Sequence, residues 1–199
     1  MSRRIIAFDN VSADGYFASP DGNLDWVVSD DDVDRSAASH IGGADAMVFG
    51  RKTYDMFEAF WPKALQDPKG PADPHAPGRR SDAIAKMAVW INDAEKLVFT
   101  RNPKPLTWKN SRNMGEFNPA AVEALKRGPG GDLMIFGSGT VVSQLAAHGL
   151  VDEFQFLTNP VLLGDGRALL TGVAKRIRVR LIECKPFPTG KVMMRYAPV

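Results

Sequence analysis

A short apolar run, followed by a glycine turn and then a helical pattern, constrains the fold of this chain more than any other feature. Residues 133–136 read Leu-Met-Ile-Phe and have the length and bulk of a buried strand. The run stops at Gly137, and apolar side chains then recur at helical spacing at Val141, Val142 and Leu145. The pattern predicts a strand, a glycine turn and a helix in direct succession.

The composition of this turn suits a bound phosphate. The first turn of a helix carries unpaired N–H groups and a partial positive charge, and glycines let a phosphate approach the main chain closely. The alternative is a turn in which Gly137 and Gly139 only relieve steric crowding. No lysine follows Gly139, which argues against a P-loop, and Val142 stands where a Rossmann fingerprint needs its third glycine.

Composition limits the class of protein. A chain of 199 residues suits a single domain, predicted to span residues 1–199, and a formal charge of +2 argues against a nucleic-acid partner. No apolar stretch approaches the ~20 residues of a membrane span, which argues against a membrane partner. The single cysteine, Cys184, excludes internal disulfides and is interpreted as a packing residue. These features predict a cytoplasmic protein without a metal site.

Two further strands are followed by polar residues in the same way. A second apolar run covers residues 46–49, and a helix is predicted directly after it. The residues that begin this helix are Gly50, Arg51, Lys52 and Thr53. Cations at a helix N-terminus oppose its dipole, so a bound anion explains them, with solvated charges as the alternative. A third run, residues 96–99, is followed by Thr100 and Arg101 at the sheet edge where ligands of open α/β sheets collect.

The remaining segments complete an α/β pattern. Residues 4–11 predict the first strand, and residues 30–34 place four acids at the start of a helix, where the dipole stabilises them. Residues 61–80 contain five prolines and predict an irregular insertion. Two alternating runs, residues 176–184 and 191–197, predict an antiparallel C-terminal hairpin. The expected fold is a central, mostly parallel mixed sheet that ends in this hairpin.

Three motifs in this order resemble the dihydrofolate reductase superfamily: GRKTY after the second strand, TR after the third and FGSGT after the fourth. The segments SADGYFASPDGNLDW and NPVLLGDG are most similar to one branch, the reductase half of the bacterial riboflavin-biosynthesis deaminase–reductase and its stand-alone relatives. The resemblance covers nearly the whole chain and implies a three-layer α/β fold with helices on both faces of the sheet. The zinc-deaminase motif is absent, so the chain corresponds at most to the reductase half.

The resemblance implies NADPH as the cofactor, with its phosphates between two helix N-termini. The motif positions that would hold the phosphates are Gly50, Arg51, Lys52, Thr53, Gly137, Ser138, Gly139, Thr140 and Val141. Thr100 and Arg101 fall where the family grips the adenosine end, and a guanidinium there suits the 2′-phosphate that distinguishes NADPH from NADH. The positions that would contact the nicotinamide amide are Asn10, Val11, Phe17 and Ala18.

The substrate side is implied by the same resemblance. The acid that holds the pterin in folate reductases maps to Asp34, which would orient the substrate and help to supply a proton. The neighbouring acids within alignment error are Asp30, Asp31 and Asp32. The other candidates for substrate contacts are Trp26, Thr158, Gly164 and Asp165. Each of them has a structural alternative as a packing, strand, turn or capping residue.

These features together predict a stand-alone NADPH-dependent oxidoreductase that transfers a hydride to a small, heterocyclic substrate. One alternative is 5-amino-6-(5-phosphoribosylamino)uracil reductase of riboflavin biosynthesis, which would need a second anion site with Arg167 as a possible member. A second alternative is a non-catalytic regulatory protein that binds NADPH. Apolar residues in the C-terminal strands favour a homodimer.

Overall fold

Ten strands and five α-helices make up the computed structural model, which describes residues 2–102 and 104–199. The strands are β1 (Ile5–Ser12), β2 (Tyr16–Ala18), β3 (Ala44–Gly50), β4 (Glu95–Phe99), β5 (Ser111–Gly115), β6 (Asp132–Phe136), β7 (Glu153–Asn159), β8 (Arg167–Ala168), β9 (Val179–Pro186) and β10 (Val192–Pro198). The helices are α1 (Asp31–His40), α2 (Arg51–Ala64), α3 (Asp82–Asp93), α4 (Pro119–Arg127) and α5 (Gly139–Ala147).

Eight of the strands form one mixed sheet in the order β5-β4-β3-β6-β1-β7-β10-β9. The neighbouring strands from β5 to β7 are all parallel, and their apolar runs are typical of strands covered on both faces. β10 is antiparallel to both β7 and β9, so β9 and β10 form the predicted C-terminal hairpin. The predicted mixed sheet is confirmed.

Helices cover both faces of this sheet. Along β3, Met47 and Phe49 pack with α2 and α3, whereas the alternating residues Ala46 and Val48 pack with α4 and α5. α1 lies on the same face as α2 and α3, because its residue Val33 packs against the face of β7 opposite the α5 core. The fold therefore has the three layers that the resemblance implies.

A crevice opens between β1 and β6 at their carboxyl ends. These neighbouring strands connect in opposite directions, because β1 leads through α1 to β3 and β6 leads through α5 to β7. Such a switch point is where open α/β sheets bind ligands. The register pairs Phe8 with Phe136, after which β6 ends at the Gly137 turn while β1 continues through Asp9. The crevice therefore lies beside this part of β1.

The irregular insertion begins later than predicted. α2 continues through Pro62 to Ala64, so the segment without helix or strand starts at Leu65. A proline inside a helix removes one main-chain hydrogen bond, but Trp61 beside it is buried among the aromatic residues between α2 and α3. Burial of this large side chain stabilises the last helical turn against the local preference of proline.

The structure corrects one further expectation and adds one strand that the sequence analysis did not predict. Cys184 is exposed, because β9 is an edge strand whose residues on both faces are largely open to solvent. β5 was not predicted, since its sequence Ser-Arg-Asn-Met-Gly has no alternation of apolar and polar residues. It forms through main-chain pairing with β4.

Across the described residues, every helix is too short or too polar to span a bilayer.

Candidate functional site

A cleft of about 1180 Å³ lies at the carboxyl ends of β1, β3, β4 and β6. Its floor and walls include the aromatic side chains of Phe8, Phe57 and Phe136, with polar groups along the rim. A concave apolar cavity with a few polar groups is the usual form of a small-molecule site, and about 300–1,000 Å³ is typical for one drug-sized ligand. This cleft is large enough for a ligand of dinucleotide size and part of a second molecule.

The turns after β3 and β6 meet in the middle of the cleft. The Gly50 N–H donates to Ser138 Oγ at 3.3 Å and joins the two turns. These residues are the N-caps of α2 and α5, and neither makes a side-chain capping bond to its own helix. First-turn N–H groups of two helices are thus left without side-chain partners beside one cavity, which suits a bound phosphate.

The turn after β6 also touches the loop that follows β1. A Cβ atom at Gly139 would come within 2.6 Å of the Phe17 ring, so only glycine allows this approach without a shift of the ring. Phe17 in turn packs against the core between the sheet and α5. The predicted phosphate turn and the predicted nicotinamide contacts therefore lie next to each other.

Arg51, at the first position of α2, is partly committed to the protein. Its Nε lies 2.9 Å from an oxygen of Asp55, and its Nη1 donates to the Lys104 carbonyl at 2.7 Å. Its third nitrogen, Nη2, is buried and has no partner. Arg51 is thus held in place with one donor group left over.

Two more cations meet beside the turn that contains Gly22. The Lys52 Nζ and the Arg167 guanidinium both lie within about 3.2 Å of the point that a Cβ atom of Gly22 would occupy. Arg167 donates from Nε to the Pro20 carbonyl at 3.1 Å. Neither cation has a carboxylate partner within the part of the chain that the structure describes. Two uncompensated charges this close together favour an anionic ligand.

Thr100 and Arg101 line the outer end of the cleft. The Arg101 side chain is 82% exposed, and its Nη1 lies 3.6 Å from a carboxylate oxygen of Glu116. An exposed pair at this distance contributes little to stability, so the guanidinium is available to a ligand.

Asp9 is a buried carboxyl in the crevice between β1 and β6. It is 1% exposed, and neither of its oxygens has a hydrogen-bond partner. The nearby Gly137 N–H opposes the effect of burial, but it is directed to the Phe8 carbonyl at 3.3 Å. Burial raises the pKa of Asp9 from 3.8 to about 7. This carboxyl is therefore largely protonated below neutral pH.

Arg79, from the proline-rich segment, holds three acids at the opposite end of the cleft. Its guanidinium contacts Asp31, Asp34 and Asp73. Burial raises the pKa of Asp34, although the hydrogen bond and the charge of Arg79 oppose this effect. The insertion is thus tied to α1, and the predicted substrate acid Asp34 is part of an ion-pair cluster.

Lys191 is a buried ammonium that faces the same end of the cleft. It is 2% exposed, and burial lowers its pKa to about 8 although the charges of Asp30, Asp34 and Asp73 favour the ammonium. Lys191 lines the cleft together with Leu157. A ligand at this end therefore meets both a cation and carboxylates.

The cleft brings together most of the predicted site residues. The predicted residues that line it are Asn10, Phe17, Ala18, Asp34, Gly50, Arg51, Lys52, Thr53, Thr100, Arg101, Gly137, Ser138, Gly139, Thr140 and Val141. Five predicted residues are described by the structure but do not line it, namely Val11, Trp26, Thr158, Gly164 and Asp165. The binding role of each residue stays a prediction.

Local geometry explains these five exceptions. Strand alternation turns Leu157 toward the cleft and Thr158 toward the opposite face, whereas Val11 lies two residues beyond Asp9 on the same face of β1. The Trp26 Nε1 donates to the Asn23 carbonyl at 3.3 Å. In the loop after β7, the Gly164 N–H donates to Asp14 at 2.7 Å, and Asp165 accepts from the next residue's N–H. This loop is held to the start of the chain by Asp14 and reaches the cleft through Arg167.

Neither Asp9 nor Lys191 was predicted as a site residue. Asp9 carried a detectable signal, since it takes the inward position of β1 after Ile5 and Ala7, where an apolar residue is expected. Lys191 carried none, because a lysine at the start of an alternating run is ordinary in sequence.

The whole arrangement agrees with a comparison against protein families. The model of the RibD C-terminal domain matches residues 3–193. The chain belongs to the RibD C-terminal domain family. The predicted family is confirmed.

Individual proteins are similar to this RibD C-terminal domain in sequence or in fold. The uncharacterized protein YyaP of Bacillus subtilis (strain 168) is 27% identical over 198 residues, which are 98% of this chain and 94% of that protein. A deaminase/5-amino-6-(5-phosphoribosylamino)uracil reductase from Thermotoga maritima has a TM-score of 0.64 at 16% identity, over all of this chain and 57% of that one. Dihydrofolate reductase from Enterococcus faecalis, complexed with NADP(H) and RAB-propyl, has a TM-score of 0.63 at 13% identity. This comparison covers 100% of this chain and 99% of the reductase.

The residues of this RibD C-terminal domain fit a dinucleotide. Two helix N-termini without side-chain caps border the cleft, and Gly139 permits a close approach to the main chain. Unpartnered polar atoms remain buried at Arg51 and Asp9, both of which line the cleft. Buried polar atoms are rarely left without partners unless a ligand, ion or water supplies them.

Proposed function

We propose that the protein is an NADPH-dependent reductase that transfers a hydride to a small, heterocyclic substrate. The observation that carries the proposal is the convergence of three turns, far apart in sequence, on one cleft. They are the GRKTY, TR and FGSGT motifs, whose residues border the same cavity with the exception of the buried Tyr54. A ligand that extends along all three turns needs phosphate groups in its middle and at one end, as NADPH has.

The protein would hold the phosphates of this ligand with main-chain N–H groups and fixed cations. The first turns of α2 and α5 offer uncapped N–H groups, and Lys52 lies beside them without a carboxylate partner. Arg101 would bind the 2′-phosphate, since a guanidinium offers paired donors to phosphate oxygens. NADPH is therefore the proposed cofactor in preference to NADH.

The reaction end lies between β1 and α1. When bound, NADPH supplies the hydride, and the protein supplies orientation and exclusion of water. Asn10, Phe17 and Ala18 would position the nicotinamide, and the apolar side chains of Phe8 and Leu157 would shield the substrate from solvent. The substrate would lie between these groups and the Asp34–Arg79 cluster.

Cofactor preference tests this proposal. NADPH is expected to raise the midpoint of thermal unfolding well beyond the shift given by the same concentration of NADH, because only the NADPH complex includes the 2′-phosphate contacts. Arg101→Ala is expected to lower the affinity for NADPH by about tenfold or more and to leave that for NADH unchanged, since hydrogen bonds to charged groups contribute about 1.5–3 kcal/mol. Differential scanning fluorimetry and isothermal titration calorimetry measure both effects.

A matched control for Arg101 is Arg112→Ala. Arg112 is exposed on β5 and pairs with Glu95 at 3.0 Å, away from the cleft. The same loss of NADPH affinity in both variants, or equal shifts with NADPH and NADH, would remove the argument from the 2′-phosphate. Tight NADPH binding without oxidation across a panel of heterocyclic substrates would favour the non-catalytic regulatory alternative.

One observation favours a second candidate, 5-amino-6-(5-phosphoribosylamino)uracil reductase. Arg167 lies beside Gly22 without a carboxylate partner among the described residues, and Lys191 lies at the substrate end of the cleft. A substrate with a phosphoribosyl-derived chain needs such an anion site of its own. Steady NADPH oxidation with this pyrimidine would support the candidate, and its absence at high enzyme concentration would dismiss it.

We also propose that the protein is a homodimer that pairs through the outer edge of β9. The apolar side chains of Val179, Leu181 and Ile182 are each more than two-fifths exposed on this edge strand. An exposed apolar edge strand is a ready surface for pairing with another chain. Light scattering after size-exclusion chromatography is expected to give twice the chain mass, and Leu181→Lys with Ile182→Lys to give the chain mass. Monomers in the wild type would contradict the proposal.

A further inference from the structure

Lys191 has a fixed position at the substrate end of the cleft. It directly precedes β10, and its main-chain carbonyl accepts a hydrogen bond of 2.8 Å from the Phe187 N–H, which closes the turn between β9 and β10. The next residue, Val192, pairs with Thr158, so Lys191 lies beside the carboxyl end of β7. Strand alternation places its side chain on the same face as Met193, toward the cleft that Lys191 lines. The hairpin therefore determines where this ammonium lies.

The Lys191 ammonium has no partner in the part of the chain that the structure describes. Its residue is 2% exposed, and the ammonium makes neither a hydrogen bond nor an ion pair there. The neighbouring carboxylates are engaged elsewhere, because Asp30 caps the N-terminus of α1. Likewise, Asp34 and Asp73 contact Arg79. Three N–H donors with a full positive charge are thus buried without an acceptor, which costs free energy unless a ligand or water supplies one.

A molecule in the cleft can reach this ammonium. The two carboxyl oxygens of Asp9 are unpartnered and also sealed inside the protein. The Lys191 Nζ has no partner among the described residues either, but it is not sealed in this way. Because Lys191 borders the cleft, the open side of Nζ faces the cavity. The lysine is therefore a donor that is available to a bound molecule.

The charges around Lys191 limit the kind of acceptor that fits. The carboxylates at this end of the cleft are Asp30, Asp31, Asp34 and Asp73, and the cations beside them are Arg79 and Lys191. Four acids against two cations leave two negative charges in excess. A phosphate or carboxylate would add to this excess, and like charges placed together are unfavourable. A neutral carbonyl oxygen accepts a hydrogen bond from an ammonium and adds no charge, so the site favours a carbonyl over an anion.

We propose that Lys191 determines substrate specificity by donating hydrogen bonds to a neutral ring carbonyl of the substrate. The inference rests on the proposed function and deepens it, because it restricts the heterocyclic substrate to cyclic amides, imides and ring ketones. An amino group in place of this carbonyl would present N–H donors to the ammonium and leave both without an acceptor. The phosphate of a phosphoribosyl-derived chain would have to lie at Arg167 and not at Lys191.

Loss of the ammonium is expected to remove the preference for a carbonyl. Lys191→Met keeps the length of the side chain and is expected to bind a ring dione about tenfold more weakly or worse, because a hydrogen bond from a charged donor is lost. It should bind the amino analogue at least as well as the wild type, since two facing donors are no longer present. Lys191→Gln is a second variant, whose amide oxygen can accept from an amino group, so the preference is expected to fall there too.

The experiment is isothermal titration calorimetry at pH 6.5 with protein saturated with NADP⁺, which cannot reduce the probes. The probes are pteridine-2,4-dione and 2,4-diaminopteridine, which have the same rings, are mainly uncharged at this pH and differ in carbonyl against amino groups. Burial lowers the pKa of Lys191 to about 8, so the ammonium is charged in this assay. The wild type is expected to bind the dione about tenfold more tightly than the diamine, or better still.

Lys185→Met is the matched control. Lys185 lies on β9 of the same hairpin, is exposed and does not line the cleft. Its replacement is expected to leave the ratio of dione to diamine affinity unchanged. Affinity for NADP⁺ is expected to be unchanged in Lys191→Met, because this lysine lies at the opposite end of the cleft from the phosphate turns, and that result also shows that the variant is folded.

The two proposals fail in different ways. If the dione-to-diamine ratio in Lys191→Met and Lys191→Gln equals that of the wild type, the role of Lys191 is wrong and the proposed function stands. No binding of the dione by a wild type that binds NADP⁺ has the same meaning, as does an equal loss of preference in Lys185→Met. If neither NADP⁺ nor NADPH binds to the wild-type protein, the proposed function fails and the role of Lys191 fails with it.

Discussion

The free energy of unfolding of the wild type is expected to fall markedly as the pH rises from 4 to 8, and replacement of Asp9 by asparagine is expected to remove this fall. Burial raises the pKa of Asp9 from 3.8 to about 7 in the folded protein, whereas the unfolded chain ionises near 3.8. The stabilising contribution of the protonated group is complete below pH 3.8 and is lost as the pH rises to about 7. A shift of about three pKa units corresponds to roughly 4 kcal/mol in the free energy of unfolding.

Urea denaturation at pH 4.5, 6 and 8 measures this effect. The informative quantity is the difference between Asp9→Asn and the wild type at each pH, since the other titrating groups cancel in it. Asp25→Asn, at an exposed position on the rim of the cleft, controls for the loss of an acid. The Asp9→Asn difference is expected to increase toward pH 8, and parallel pH profiles of variant and wild type would contradict it.

Replacement of Arg79 by alanine is expected to lower the free energy of unfolding by about 3 kcal/mol at pH 7.5. This guanidinium contacts Asp31, Asp34 and Asp73, and the last two are mostly buried. Removal of one partner of a buried ion pair leaves an uncompensated charge, which typically costs about 3–5 kcal/mol. Because about one fifth of the Arg79 side chain is exposed to solvent, we expect a value at the lower end of this range.

The pH dependence of this loss has a defined direction. Hydrogen bonds and the charge of Arg79 lower the pKa of Asp73, so the stability that they contribute is present above the unfolded pKa and is lost as the pH falls. The deficit of Arg79→Ala should therefore shrink toward pH 4. Arg80→Ala is the matched control, because Arg80 pairs with Asp67 at 2.8 Å in a more exposed position, where less than about 1 kcal/mol is expected. Equal losses in both variants would contradict the role of the Arg79 cluster.

The Arg79 cluster also changes the interpretation of Asp34. An acid that was predicted to contact the substrate is also part of the structure that joins the proline-rich segment to α1. Its carboxylate would therefore act on a substrate together with the Arg79 guanidinium. Lys191, at the same end of the cleft, adds a second cation. The substrate end thus presents paired charges of both signs in place of a single acid.

Much of the fold could be predicted from local patterns. The apolar run and the glycine turn correctly predicted the succession of β6 and α5, and the alternating runs near the C-terminus correctly predicted the hairpin of β9 and β10. These features depend on residues within a few positions of each other, where backbone preference and periodicity act. β5 was missed for the same reason, because it is stabilised by pairing with β4 and not by its own sequence.

By itself, the sequence determined the strand–turn–helix units, the family and the order of the motifs that surround the cleft. Only the tertiary structure decided which of these residues meet, which lie on the opposite face of a strand and which are already paired. Strand alternation separated Leu157 from Thr158, and a contact between distant segments joined Arg79 to Asp34. Burial in the folded protein raised the pKa of Asp9. Burial and pairing depend on residues far apart in the chain, so a local pattern can mark an inward position such as that of Asp9 but cannot reveal its surroundings or its partners.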